Sequence, residues 1–291
     1  MRYEIRLTVG YDYGAPSEHA RTLVRLLPSD VPGKQTVPSR LLIIEPKPQE
    51  RHDTRDFFGN VMTVLVFHEP IDKIEVSLKA TVERLQPAAS LDFSPDLQTL
   101  EQEVLANRNL TAIAPAHYTG ISPRVPADSA ITEFAKDQSG TGLSTMSIVK
   151  AIGKALHEEM RFDPEATEVS TSPAEAFSQR HGVCQDFSHI MISGLRSLGI
   201  PAGYVSGFLR TLPPKGQPRL EGADAMHAWV CAWCGIETGW IEYDPTNACF
   251  AGSDHIVVAY GRDYSDVAPV KGVLRSSGDQ SSFHAVDVRP L

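Results

Sequence analysis

The chain has 291 residues, enough for one large domain or two ordinary ones. With 42% hydrophobic and 22% charged residues it has the balance of a globular protein, which excludes a disordered, collagen-like or coiled-coil chain. A formal net charge of −9 without any basic block makes nucleic acid and anionic membranes poor partners.

From Arg2 to Arg84 the pattern reads as strand. Tyr3, Ile5, Leu7 and Val9 alternate with Glu4, Arg6 and Thr8, the period of a strand with one buried face. Residues 22–27, 41–45, 61–69 and 74–82 continue in kind, punctuated by Pro28-Ser29-Asp30, Val31-Pro32-Gly33, Pro46-Lys47-Pro48 and Gly59-Asn60. Five or more short antiparallel strands predict an N-terminal β-sandwich over residues 1–95. Its histidines and aspartates fall at turns or outward positions, so it reads as a scaffold or a module that orients substrate. The longest apolar stretches are strand-sized, well below the ~18 residues of a membrane span. Met1-Arg2-Tyr3-Glu4 leads straight into the alternating pattern, unlike a signal peptide. Four cysteines in a chain this long do not make a disulfide framework, so free thiols in a reducing cytoplasm are expected.

Beyond residue 95 the period becomes helical. Leu97, Leu100, Val104 and Leu105 have helix spacing, as do Ile148, Ile152, Ala155, Leu156 and Met160. Ser172-Pro173-Ala174-Glu175 reads as an N-cap, a proline at the first helical position and an acidic first turn. That short helix ends near Arg180. Phe187, Ile190, Met191, Leu195 and Leu198 then share one face of a further helix, stopped by Gly199 and Pro201. Cys184 therefore sits at or just before a helix start, where the amide dipoles favour a thiolate. Unpaired N–H groups there could also serve an oxyanion. Strand patterns return at residues 204–209, 225–234, 239–244, 255–260 and 283–288, giving an α+β domain over 96–291.

A thiol nucleophile needs a base and a group to orient the base. His227 lies in Met226-His227-Ala228-Trp229-Val230 near the start of one strand. Asp244 lies in Tyr243-Asp244-Pro245-Thr246-Asn247 at the end of the next. An antiparallel hairpin brings those strand ends together, provided the register turns Asp244 to the correct face. Asp186 reads as a helix cap and His189 as a packed helix residue. Gln179 and Gln185 are weak candidates for an oxyanion donor. Trp229 and Trp233 share the His227 face and read as core rather than as a substrate wall. Cys231-Ala232-Trp233-Cys234 suggests zinc or redox chemistry, but residues three apart on a strand face opposite ways and no second cysteine pair exists. No acidic loop has calcium spacing. No metal and no other cofactor is expected.

Arg180-His181-Gly182-Val183-Cys184-Gln185-Asp186, His227-Ala228-Trp229 and Asp244-Pro245-Thr246-Asn247 resemble, in order, the three core motifs of the transglutaminase-like cysteine enzymes. More narrowly, the chain resembles the bacterial transglutaminase-like proteins that carry their own N-terminal β domain. Leu195-Arg196-Ser197-Leu198-Gly199-Ile200-Pro201-Ala202, the run from Gly261-Arg262-Asp263-Tyr264 to Pro269, Tyr11-Asp12-Tyr13 and Asp56-Phe57-Phe58-Gly59-Asn60 extend the likeness over almost the whole chain. The resemblance implies a papain-like core, a helix carrying the cysteine packed on an antiparallel sheet. It implies Cys184 as nucleophile, His227 as general base and Asp244 as its orienter. The implied chemistry is acyl transfer from an amide of a peptide or protein, commonly a glutamine side chain, to water or an amine. No residue matches the side-chain oxyanion donor of the animal enzymes. Hydrolysis is the leading expectation. Amine transfer, as in a transglutaminase, is the alternative, and a non-catalytic binding protein on this fold or a zinc or redox protein using Cys231 and Cys234 are the others.

Overall fold

The structure, a computed structural model, describes residues 1–17, 20–85, 91–211, 224–273 and 280–291. The first segment forms β1 (Arg2–Ser17), β2 (Ala20–Val24), β3 (Gln35–Glu45), β4 (Glu50–Arg55), β5 (Val61–Phe67) and β6 (Ile71–Arg84). Helices α1 (Leu97–Ala106), α2 (Ser129–Asp137) and α3 (Thr145–Glu159) follow. Then β7 (Arg161–Phe162), α4 (Pro173–Gln179), β8 (His181–Gly182) and α5 (Cys184–Ser197) lead into β9 (Ala202–Leu209) and β10 (Ala225–Trp233). The remainder is α6 (Gly235–Thr238), β11 (Trp240–Asp244), β12 (Cys249–Phe250), β13 (His255–Gly261), α7 (Tyr264–Val267), β14 (Val270–Val273) and β15 (Gln280–Pro290).

Two four-stranded antiparallel sheets, ordered β15-β1-β6-β3 and β14-β2-β5-β4, bury their facing sides in a common core. The alternation in β1 is what drives this: Tyr3, Ile5, Leu7 and Val9 are buried while the residues between them point outward. Two strands of these sheets come from the far end of the sequence. β14 pairs with β2, and β15 pairs with β1 from Tyr3↔Pro290 to Tyr13↔Gln280.

The third sheet, ordered β12-β11-β10-β9-β13, is antiparallel throughout. Helix α5 packs on its β10 and β9 strands, flanked by α2, α3 and α4. The fold is thus α+β, as the sequence predicts. Every residue of α5 from Gln185 to Arg196 is buried, so its polar members need internal partners. They have them: Arg196, for example, donates to the carbonyls of Ala202, Gly120 and Arg262 and to the Ser122 hydroxyl.

β13 is an edge strand, and side chains from the first segment cover it. The Gln35 amide both donates to the Val257 carbonyl at 2.8 Å and accepts from the Val257 N–H at 2.9 Å. Asn60 does the same at Tyr260, at 2.7 and 2.8 Å. Each amide stands in for a neighbouring strand and satisfies a sheet edge.

Candidate active site

The link between α4 and α5 sets Cys184. Arg180 ends α4 with a left-handed backbone, φ 56°, and His181-Gly182 pairs in parallel with β7. Asp186, in the first turn of α5, turns back to accept the Val183 N–H at 2.8 Å and the Thr167 hydroxyl at 2.6 Å. That is the capping role its position predicts. Burial pushes the Asp186 carboxyl up, with these hydrogen bonds pulling the other way. A Cβ on Gly182 would lie 2.6 Å from the Asp186 carboxylate, so glycine is required there by space. Cys184 is the first helical residue and is half-buried. Its own N–H and that of Gln185 open the helix and have no carbonyl within it to bond.

The hairpin supplies the other two groups. β10 and β11 pair in the register Val230↔Tyr243, and the one-turn helix α6 spans their connection. This register satisfies the condition set by the sequence: His227 Nε2 and Asp244 Oδ2 lie 2.7 Å apart. With Nε2 engaged, Nδ1 is the ring nitrogen left for another partner. Cys184 lies close enough to the ring to raise its pKa. The three sequence-predicted residues are therefore brought together.

The charges follow from this geometry. Burial alone would strip the proton from His227. Interactions with Asp244 and Cys184 reverse that and raise its pKa to about 10. Asp244 is fully buried, which by itself disfavours a carboxylate. Donors to its oxygens outweigh burial and hold it well below the usual range. Oδ1 accepts the Thr246 and Asn247 N–H groups at 2.9 and 3.2 Å, and Oδ2 accepts the Asn247 side chain at 2.7 Å.

Two neighbours were missed by sequence reasoning. His255, which the sequence reading placed only in a strand pattern, lies 3.0 Å from Asp244 Oδ2 through Nε2. Glu242, one alternation before Asp244, is buried and accepts from the Trp229 indole at 2.9 Å, Lys34 at 2.6 Å and the Tyr260 hydroxyl at 2.9 Å. Burial would raise the Glu242 carboxyl, but the Lys34 and Arg84 charges hold it below its ordinary value. A glutamate directed inward, two residues before the motif aspartate, was the available signal.

The other candidates resolve separately. Gln185 Nε2 donates to the Val169 carbonyl at 3.2 Å, and Gln179 is exposed at the end of α4. His189 is buried, accepts the Tyr264 N–H at 3.2 Å and has its pKa lowered to about 4 by burial. Trp229 and Trp233 are both buried. Cys231 and Cys234 are buried in different core clusters, and burial raises the Cys231 thiol to about 12 and pushes Cys234 higher still.

His227, Asp244 and His255 present three ligand-type atoms within 4.8 Å of one another. They do not fit a metal ion. His255 Nδ1 accepts the Gly252 N–H at 3.2 Å, so its proton sits on Nε2 and leaves no lone pair there for a metal.

Two family models match the chain. The bacterial transglutaminase-like N-terminal region covers residues 3–83, and the transglutaminase-like superfamily core covers residues 132–245. An uncharacterized protein of Mycobacterium leprae is 31% identical over 296 aligned residues, covering 100% of this chain and 99% of its own. The chain belongs to the transglutaminase-like superfamily. A second uncharacterized relative, from Mycobacterium tuberculosis, is 31% identical over 263 residues, covering 89% of this chain and 83% of its own. The superfamily fold also appears in a crystal structure described as a candidate cysteine protease from Cytophaga hutchinsonii, with TM-score 0.76 and 23% identity over 99% of this chain and 90% of that one. Among the described residues, no helix is long and apolar enough to cross a membrane.

Proposed function

We propose that this protein is a thiol-dependent enzyme that cleaves amide bonds of peptides or proteins, with Cys184 as nucleophile, His227 as general acid and base, and Asp244 as the group that orients His227. The observation that carries the reading is one set of groups: a half-buried thiol at a helix start, near an imidazole that is hydrogen-bonded through Nε2 to a buried carboxylate. The reading treats residues 1–95 and 96–291 as two units, with β14 and β15 returning to pair with the first. It places the enzyme in the cytoplasm and gives it no cofactor.

The steps follow from the charges. The Cys184 thiolate attacks the amide carbon and forms the C–S bond, and the carbonyl π pair moves onto oxygen. The N–H groups that open α5 face that oxyanion. The pair returns, the C–N bond breaks, and the His227 imidazolium gives its Nδ1 proton to the departing nitrogen. Water then attacks the thioester as Nδ1 takes a proton, the C–S bond breaks, and the acid leaves. Asp244 stays ionised throughout and holds the imidazole in place. Hydrolysis is favoured over amine transfer because Cys184 is half-buried rather than enclosed. A dedicated amine transferase has to keep water from the acyl-enzyme.

Alkylation by iodoacetamide from about pH 5 to about pH 9, read cysteine by cysteine, tests this. Cys184 is expected to react fastest and to keep reacting near pH 6, and His227→Ala is expected to abolish the low-pH reaction. A Cys184 no faster than Cys249 overturns the enzyme reading in favour of a binding protein. Cys184-dependent uptake of a labelled amine into a glutamine-rich protein, in preference to hydrolysis, overturns the choice of water.

A further inference from the structure

Asp244 Oδ2 carries more than the proposed mechanism uses. It accepts from His227 Nε2 at 2.7 Å, from Asn247 Nδ2 at 2.7 Å and from His255 Nε2 at 3.0 Å. Two imidazoles thus share one carboxylate oxygen, and the proposed mechanism uses only one of them.

The far side of the His255 ring settles what it brings. Its Nδ1 faces the Gly252 N–H at 3.2 Å. A backbone amide can only donate, so Nδ1 keeps its lone pair and the single ring proton is on Nε2. His255 is therefore a neutral donor to Asp244. A second imidazolium would divide the Asp244 charge between two cations. A neutral donor fixes the direction of Oδ2 and leaves the charge to His227.

The ring is itself held. It packs edge-to-face with Trp229, the ring centroids 5.2 Å apart and the planes at 80°. β13 fixes its backbone, with His255 paired to Leu209. The preceding residue, Asp254, accepts from the Tyr3 hydroxyl at 2.9 Å and from Arg210 at 3.2 Å. Tyr3 lies in β1, so the N-terminal sheet reaches the loop that presents His255.

We infer that His255 is a positioning residue for the reaction: a neutral imidazole that fixes Asp244, which in turn fixes His227. The inference rests on the proposed roles of Cys184, His227 and Asp244. A misplaced catalytic base costs up to about a hundredfold in rate, and a single lost donor here is expected to slow Cys184 by about 10- to 100-fold.

The test compares wild type, His255→Leu and His255→Gln by the rate of Cys184 alkylation with iodoacetamide near pH 6. Circular dichroism and thermal unfolding verify the fold. His255→Leu is expected to be about 10- to 100-fold slower. His255→Gln, whose amide Nε2 also donates, is expected to return to within a few-fold of wild type. Ring-nitrogen NMR of the histidine-labelled wild-type protein is expected to show His255 as the neutral Nε2–H tautomer near pH 7. Equal rates in wild type and a folded His255→Leu overturn the inference alone, as does a His255 ring protonated at Nδ1. If His255→Leu does not fold, a folded His255→Gln as slow as His227→Ala overturns it, and wild-type-like reactivity supports it. An inert Cys184 in the wild type overturns the enzyme reading as well, so the two failures are distinguishable.

Discussion

Replacing Gly182 with alanine is expected to cost about 2–4 kcal/mol of stability. The new methyl carbon would lie 2.6 Å from Asp186 Oδ2, 2.9 Å from its Cβ and 3.0 Å from its Cγ. Asp186 cannot retreat without releasing the Val183 N–H and the Thr167 hydroxyl. Losing the cap costs about 1 kcal/mol, and the residual overpacking about 1–3 kcal/mol more. In a protein of this size that lowers the Tm by roughly 5–15 °C. Urea unfolding of Gly182→Ala, Asp186→Ala and the double variant isolates the cause. Truncating Asp186 removes the Oδ2 and Cγ contacts but keeps the Cβ at 2.9 Å, so adding Gly182→Ala is expected to cost clearly less there than in the wild-type background. The steric reasoning is refuted if Gly182→Ala alone lies within about 0.5 kcal/mol of wild type, or if its cost is the same in both backgrounds.

Three further outcomes are expected. The His227 pKa is raised to about 10 from the ordinary imidazole value of 6.5, so its stabilising contribution is whole below about pH 6.5 and is lost as pH rises towards 10. The urea midpoint of wild type should therefore fall more steeply over that window than that of His227→Gln, and parallel slopes would count against the imidazolium. Glu242→Ala leaves Trp229, Lys34 and Tyr260 without their shared acceptor and is expected to destabilise by about 3–5 kcal/mol. Lys34→Ala, whose side chain is 39% exposed, should cost about 1 kcal/mol or less, and denaturant titration of both checks the ranking. Cys231 and Cys234 should resist alkylation until urea unfolds the protein, because burial disfavours both thiolates; labelling in the native state would contradict their packing.

Local features were legible in the sequence. The proline and serine at the start of α4, the helical spacing of α3 and α5, and the alternation in β1 each follow from neighbours a few residues apart. The candidate site was legible as three motifs because Cys184, His227 and Asp244 sit at element ends that a hairpin and a helix start bring together. The β10–β11 register was not, because it depends on how the connection through α6 is built. His255 was hidden for another reason: it follows Asp244 by 11 residues and joins it only after β13 has paired with β9 on the far side of β10. Glu242 owes its role to Lys34 and Arg84, more than 150 residues earlier in the chain. Such pairings arise from tertiary packing and leave no local period to read.

The pairing of β15 with β1 bears on how the protein is made. β1 and β6 emerge from the ribosome early, while β15 follows roughly 200 residues later, about 10–40 s at the usual pace of synthesis. Through that interval β1 has one side unpaired, a run of free N–H and C=O groups along an apolar strand. A nascent chain in that state is a template for mispairing with its neighbours on the same message. The demand for a holding chaperone should therefore fall on the half-made protein and end once residues 280–290 close the sheet.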